Sequence, residues 1–347
     1  MIPYVQRCRR GFRRLKHRFE PRGLVLMYHR VADVGSDPWG LAVSPAHFKE
    51  HLEVLGRDAH PVTMQTLAGL LQGGYLPRRA VAITFDDGYA DNLYAAKPLL
   101  ERYELPATFF ITTGAMVQEG EFWWDELDRL LLQPGTLPPQ IGLTIGGKRH
   151  EWRLRDEVRY DEEAFAQHRA WRTWCSPPTR RHSLYNDLWA RLHAQPEAEK
   201  EIILTDLRKQ VGAERIVRPT HTIVSVDEVR ALGEGTLFEI GAHAVTHTTL
   251  PSLSVSAQQA EVVGSKTSLE DVLGDRVVSF SYPHGQYAEE TVECVRLAGF
   301  TNACSTDAGV LRAGAPLFRL PRAMVADWDG EAFRSWLHTW WRSQAQT

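Results

Sequence analysis

The sequence predicts an α/β fold: an irregular, seven-stranded (β/α) barrel that carries a helical and hairpin insertion. Short apolar, β-branched runs alternate with amphipathic stretches of ten to eighteen residues, the pattern of βα units around a parallel sheet. The rhythm breaks over about residues 115–235 and then resumes. Two of the runs end in clustered Asp or His, and strand ends are where barrel active sites sit.

Leu24-Val25-Leu26-Met27-Tyr28 reads as the first strand and delivers His29 at its end. Ser44-Pro45 starts a helix to about Leu55, with proline at the first helical position. Residues 80–85 form the next strand, residues 90–102 a helix, and Ala107-Thr108-Phe109-Phe110-Ile111 a further strand. After the interruption come a strand at 237–241, a helix at 256–273 and a strand at 277–282. A helix at 288–298, a strand at 301–304 and a C-terminal helix at 331–342 complete the series. Inside the insertion, helices are expected from Gly120 to Leu132 and near 183–193 and 197–211. A hairpin is expected over 141–154, around Gly146-Gly147. Such an insertion is expected to cap the strand ends.

A chain of 347 residues with 43% hydrophobic and 24% charged residues suits one barrel as a single unit. It has no apolar run long enough to span a bilayer and no signal-type apolar region near residue 1. Cys8, Cys175, Cys294 and Cys304 are scattered without a CxxC pair and read as reduced thiols. The expected location is cytoplasmic, peripheral at the inner membrane face. That second element comes from residues 1–22, which carry a net charge of +7 against −10 for the rest. Val5, Cys8, Phe12, Leu15 and Phe19 form one apolar stripe there, so residues 1–20 read as an amphipathic helix for an anionic membrane surface. Without a second basic patch or aromatic platform, no nucleic-acid partner is expected.

The chemistry concentrates in two places. Residues 81–85 form a buried-type strand that runs into Asp86 and Asp87, and Gly88 permits the sharp exit. Adjacent carboxylates at the end of an apolar strand read either as a solvated Asx-type turn or as a site for a cation, which compensates them by holding one and leaving the other as a base. Far downstream, His243 and His247 lie four apart just past another apolar strand. One Asp with two His is an N/O ligand set for Zn²⁺ with open positions, and Co²⁺, Ni²⁺ or Fe²⁺ accept the same donors.

On these residues the chain resembles the polysaccharide deacetylases of the NodB-homology type, the metal-dependent carbohydrate esterases of family 4. The motif TFDDG stands as Thr84-Phe85-Asp86-Asp87-Gly88, and H(S/T)xxH stands as His243-Ala244-Val245-Thr246-His247, with Ala244 replacing the hydroxyl residue. The resemblance implies Asp87, His243 and His247 as metal ligands and Asp86 as the general base. The third motif departs from the usual RPPYG form. The chain reads Phe280-Ser281-Tyr282-Pro283-His284-Gly285, the xYPxG form of one branch, and lacks the arginine that steadies the catalytic aspartate. Arg322 is expected to replace it, ahead of Arg319, because it follows a short segment that reads as the last barrel strand. Tyr282, Pro283 and His284 are then expected at the substrate and oxyanion side.

For the general acid, His29 within a YHRV pattern resembles the poly-N-acetylglucosamine deacetylase branch. It is preferred to His338, which matches a leucine–histidine motif but falls in a surface-type helix. The implied activity is metal-dependent removal of an N-acetyl group from an amino-sugar glycan or a lipid-linked sugar, with release of acetate. Two alternatives stay open. One is a metal amidohydrolase acting on a non-sugar amide. The other is an inactive carbohydrate-binding relative, which Ala244 and the missing arginine suggest.

Overall fold

The computed structural model describes residues 21–117 and 120–342, so the amphipathic helix expected over residues 1–20 lies outside the described residues. Its organising element is a set of parallel strands whose side chains are almost all buried on both faces, as continuous apolar runs require. In chain order they are β1 (Leu24–Tyr28), β2 (His60–Val62), β3 (Ala80–Phe85), β4 (Ala107–Ile111), β5 (Phe238–Ala242), β6 (Ser279–Ser281), β7 (Asn302–Cys304) and β8 (Ala323–Met324). Seven of them run in the order β7-β6-β5-β4-β3-β1-β8. The eighth, β2, pairs with the first half of β3, and β4 takes over the same edge from Ile83 onward. Residues 320–324 join the two ends of this order. Leu320 bridges Cys304 of β7, and Ala323 pairs with Leu26 of β1.

Helices cover the outside: α1 (Pro45–Asp58), α2 (Met64–Gln72) and α3 (Lys97–Arg102), the last entered through a π-helical turn at Asn92–Ala96. The segment between β4 and β5 holds α4 (Trp123–Leu131), α5 (Arg180–His193) and α6 (Glu197–Val211). It also holds a hairpin of Gln140–Ile145 with Lys148–Arg153. Its apolar residues form their own cluster, in which Leu127, Ile141, Leu143, Leu188 and Leu207 are fully buried. Back on the barrel, α7 (Val255–Leu273), α8 (Glu289–Leu297) and α9 (Gly330–Arg342) follow. No helix among the described residues is long and apolar enough to cross a membrane.

Sequence periodicity misses β2 and α2. Strand β2 is three residues long, contains Pro61 and is buried only at Val62, so it carries no alternation to detect. The last strand also sits differently from expectation, since Arg322 precedes β8 instead of following a strand.

Helix α1 is fastened to α9 by His51, whose Nδ1 accepts from the Tyr28 hydroxyl at 3.2 Å and whose Nε2–H donates to Trp328 O at 2.7 Å. Its ring stacks on Phe333 at 4.0 Å. Burial pushes this imidazole down to about 4, against the hydrogen bond to Trp328. The folded state therefore binds fewer protons than the unfolded state below about pH 6.5. The His51 contribution is intact above that pH and is lost as pH falls toward about 4, by up to about 3 kcal/mol. Thermal melts across this window should fall more steeply for wild type than for His51→Gln. Parallel profiles would contradict the assignment.

Candidate functional site

Strand register builds the site. Tyr28 pairs with Phe85, so the next residues, His29 and Asp86, leave adjacent strands at the same level, and Asp86 N donates to Tyr28 O at 3.0 Å. Ala242 pairs with both Ile111 and Phe280, which brings His243 beside the end of β6. Thus β1, β3, β5 and β6 all deliver their chemistry at their carboxyl ends.

Asp87, His243 and His247 converge, with one ligand atom from each lying within 4.8 Å of the others. The Asp87 Oδ1 stands 3.4 Å from His243 Nε2 and 3.1 Å from His247 Nε2. His243 Nδ1 lies 2.8 Å from Ser281 O. Donating its ring proton there leaves the Nε2 lone pair of the neutral imidazole facing inward. Asp87 Oδ1 is buried and has no hydrogen-bond partner. A buried acceptor left without a partner is costly in itself and is what a cation would satisfy. The donor set and its geometry fit a divalent metal.

The backbone around these converging side chains is strained. Asp87 has φ of 75°, Ala244 61°, His247 55° and His284 56°, left-handed values that non-glycine residues adopt at a cost. Gly88 continues the turn at φ 89°, where a Cβ would press on Ile111 at 3.3 Å. The loop that carries both histidines is tied down by Glu261 of α7. Its Oε2 accepts from Val245 N and Thr246 N at 2.9 Å each, and its Oε1 accepts from the Thr246 hydroxyl at 2.9 Å. Sequence reasoning passes over Glu261, because nothing in a helical stretch marks one glutamate as a loop anchor.

Asp86 is fully enclosed and meets Arg322 in a two-pronged pair, with Nη1 to Oδ1 at 2.7 Å and Nη2 to Oδ2 at 2.6 Å. Arg322 is itself 1% exposed and donates also to Ser305 O, Thr84 Oγ1 and Ser281 Oγ. The motif-3 position without arginine is therefore filled by Ser281, whose hydroxyl bridges Arg322 and Asp86. Burial opposes ionisation of Asp86, but Arg322 and His243 keep its carboxyl below the ordinary value. Arg319, the other candidate, lies outside this group and pairs with Glu289.

His29 is half-buried, and its imidazole acts electrostatically on both Asp86 and Asp87. His338 lies elsewhere, on α9, bonded to Asp58 Oδ2 at 3.2 Å next to Arg334. Tyr282 is buried and its hydroxyl donates to Phe318 O. His284 comes close, with its ring 4.4 Å from that of His247. Burial, with His247 and His193 nearby, pushes the His284 imidazole well below its usual value.

His243→Ala should abolish tight zinc binding, measured by dialysis and metal analysis. Glu261→Ala should weaken it by about 10–100-fold with all three ligands intact. Unchanged affinity in His243→Ala would remove that residue from the ligand set.

The family model described as polysaccharide deacetylase matches residues 73–135 and 210–303, which contain Asp86, Asp87, His243, His247 and His284. The YxkH protein of Bacillus subtilis is 21% identical over 318 residues, 91% of this chain and 76% of that protein. A poly-beta-1,6-N-acetyl-D-glucosamine N-deacetylase of Staphylococcus aureus is 30% identical over 120 residues, 31% of this chain and 41% of that protein. The chain thus matches less than half the length of the staphylococcal relative. Among solved structures, the Streptococcus pyogenes deacetylase PplD superposes with a TM-score of 0.57 at 16% identity, covering 92% of this chain and 99% of that one. That likeness is one of fold.

Proposed function

The chain belongs to the polysaccharide deacetylase family, and on that premise we propose that it hydrolyses the N-acetyl group of an amino-sugar glycan or glycan precursor, with a divalent metal, releasing acetate. One observation carries the reading: a buried carboxylate clamped by arginine stands beside a second carboxylate that converges with two histidines. Asp87, His243 and His247 would hold the ion, and Zn²⁺ suits this donor set best. When bound, such an ion polarises an amide carbonyl and makes water a stronger nucleophile at neutral pH.

The protein's own groups divide the remaining work. Asp86, outside the ligand set and kept ionised by Arg322, takes the proton of the attacking water. Arg322 fixes both carboxylate oxygens, so Asp86 cannot rotate into the ligand set. The backbone N–H near His284, set by its left-handed turn, stabilises the negative charge that develops on the former carbonyl oxygen. His29 donates a proton to the departing amine, which is otherwise a poor leaving group. Arg322 also answers the main argument for an inactive relative, since it supplies the cation that the third motif lacks.

A substrate panel tests the reading. Acetate release should occur from β-1,6- or β-1,4-linked N-acetylglucosamine oligomers, and much more slowly from N-acetyl amino acids and anilides. The reverse preference would make the protein an amidohydrolase of non-sugar amides. Oligomer binding without turnover would make it a binding relative.

A further inference from the structure

The insertion places a row of aromatic rings against one side of the site. Trp189 and His193 lie four apart on α5 and therefore share a face of that helix. Their rings stack at 4.8 Å. His193 meets His284 at 4.2 Å, and His284 meets His247 at 4.4 Å. At the outer end Trp189 lies 4.2 Å from Trp39, in the loop after β1. The His193 Nε2 and the Thr249 hydroxyl are 3.2 Å apart, which ties the row to the chain just beyond the ligand His247. On its other flank His247 meets Trp124 at 5.0 Å. A cavity of about 720 Å³ lies behind Phe122 and Trp124, and none of the three ligand residues lines it.

From this enclosure, and resting on the deacetylase reading above, we infer that the site is a blind pocket: it accepts one N-acetyl sugar at a chain end, and Trp189 and His193 form the wall that excludes the rest of the chain. A deacetylase that works on internal residues needs an open groove on both sides of the reacting sugar. Here the His247 side is filled by rings that touch one another from Trp39 to the ligand itself. Asp86, Asp87 and His243 are at most 2% exposed, whereas His29 and His284 beside them are half-buried, so access is narrow. Trp39, Trp189 and His193 are half-buried as well, which places them at the mouth and not in the core. A sugar ring that enters finds aromatic faces on that side.

The experiment uses the zinc-loaded full chain with N-acetylglucosamine oligomers of increasing length, and mass spectrometry to count and locate acetyl groups lost. Wild type should remove one acetyl group per chain at every length, always from the same terminal residue. The double variant W189A/H193A should lose further acetyl groups at internal positions while its zinc content is unchanged. W189F, which keeps a ring in place, should still lose only the terminal acetyl group. Internal deacetylation by wild type overturns the inference, as does a double variant still confined to the chain end. If wild type releases no acetate from any chain, the deacetylase reading fails and this inference fails with it. Loss of one terminal acetyl from all lengths, with relaxed position in the double variant, establishes the wall.

Discussion

Asp86→Asn is expected to lower turnover by about 10²–10⁴-fold while the protein binds zinc at wild-type stoichiometry. The two adjacent carboxylates are held in different ways. Asp87 shares a narrow space with two histidine nitrogens, whereas Asp86 has both oxygens taken by Arg322. Asparagine keeps one acceptor for Arg322 but cannot take a proton from water. Arg322 retains Ser305 O, Thr84 Oγ1 and Ser281 Oγ, so the variant should fold. Parallel metal analysis of Asp87→Asn supplies the contrast, since that variant should lose metal. If Asp86→Asn loses metal and Asp87→Asn keeps it, the two roles are reversed.

Arg322→Met is expected to be the most damaging single change in the barrel. It strips the partner from a fully buried carboxylate, which costs about 3–5 kcal/mol of stability. The carboxyl would then relieve its burial by taking up a proton, and a protonated Asp86 cannot serve as a base. Activity near neutral pH should therefore fall with stability, and the activity that remains should shift to higher pH. Asp86→Asn combined with Arg322→Met removes both charges and should recover much of the lost stability without recovering turnover. Denaturant titration of the two single variants and the double variant measures this coupling. Additive losses would mean that the pair is not the energetic unit its geometry indicates.

The legible and illegible parts of this molecule separate along physical lines. Asp86, Asp87, His243 and His247 were readable because each lies within a few residues of an apolar strand that announces itself. Strand order then does the rest, since Ala242 and Phe85 need only be paired correctly to bring the groups together. The insertion was visible as a break in rhythm, and its hairpin as an alternation around two glycines. Arg322 was reachable only by asking where the missing cation could come from, because it sits 236 residues from Asp86. Its place relative to the last strand is not legible in the sequence, as β8 is two residues long and carries no pattern. Glu261, Trp189 and His193 carry no such signal. Their contacts cross between separate helices and loops, and one glutamate or one tryptophan on an amphipathic helix looks like any other. The four-residue spacing of Trp189 and His193 is the only signal that could have singled them out.

The proposed deacetylation depends on a metal held by the Asp87–His243–His247 group. Acetate released from N-acetylglucosamine oligomers, followed before and after chelation and again after zinc is returned, tests that claim most directly. The expected result is turnover that vanishes with the metal and returns near one equivalent of zinc in wild type, but not in His243→Ala. Undiminished acetate release from protein shown to be metal-free would contradict it.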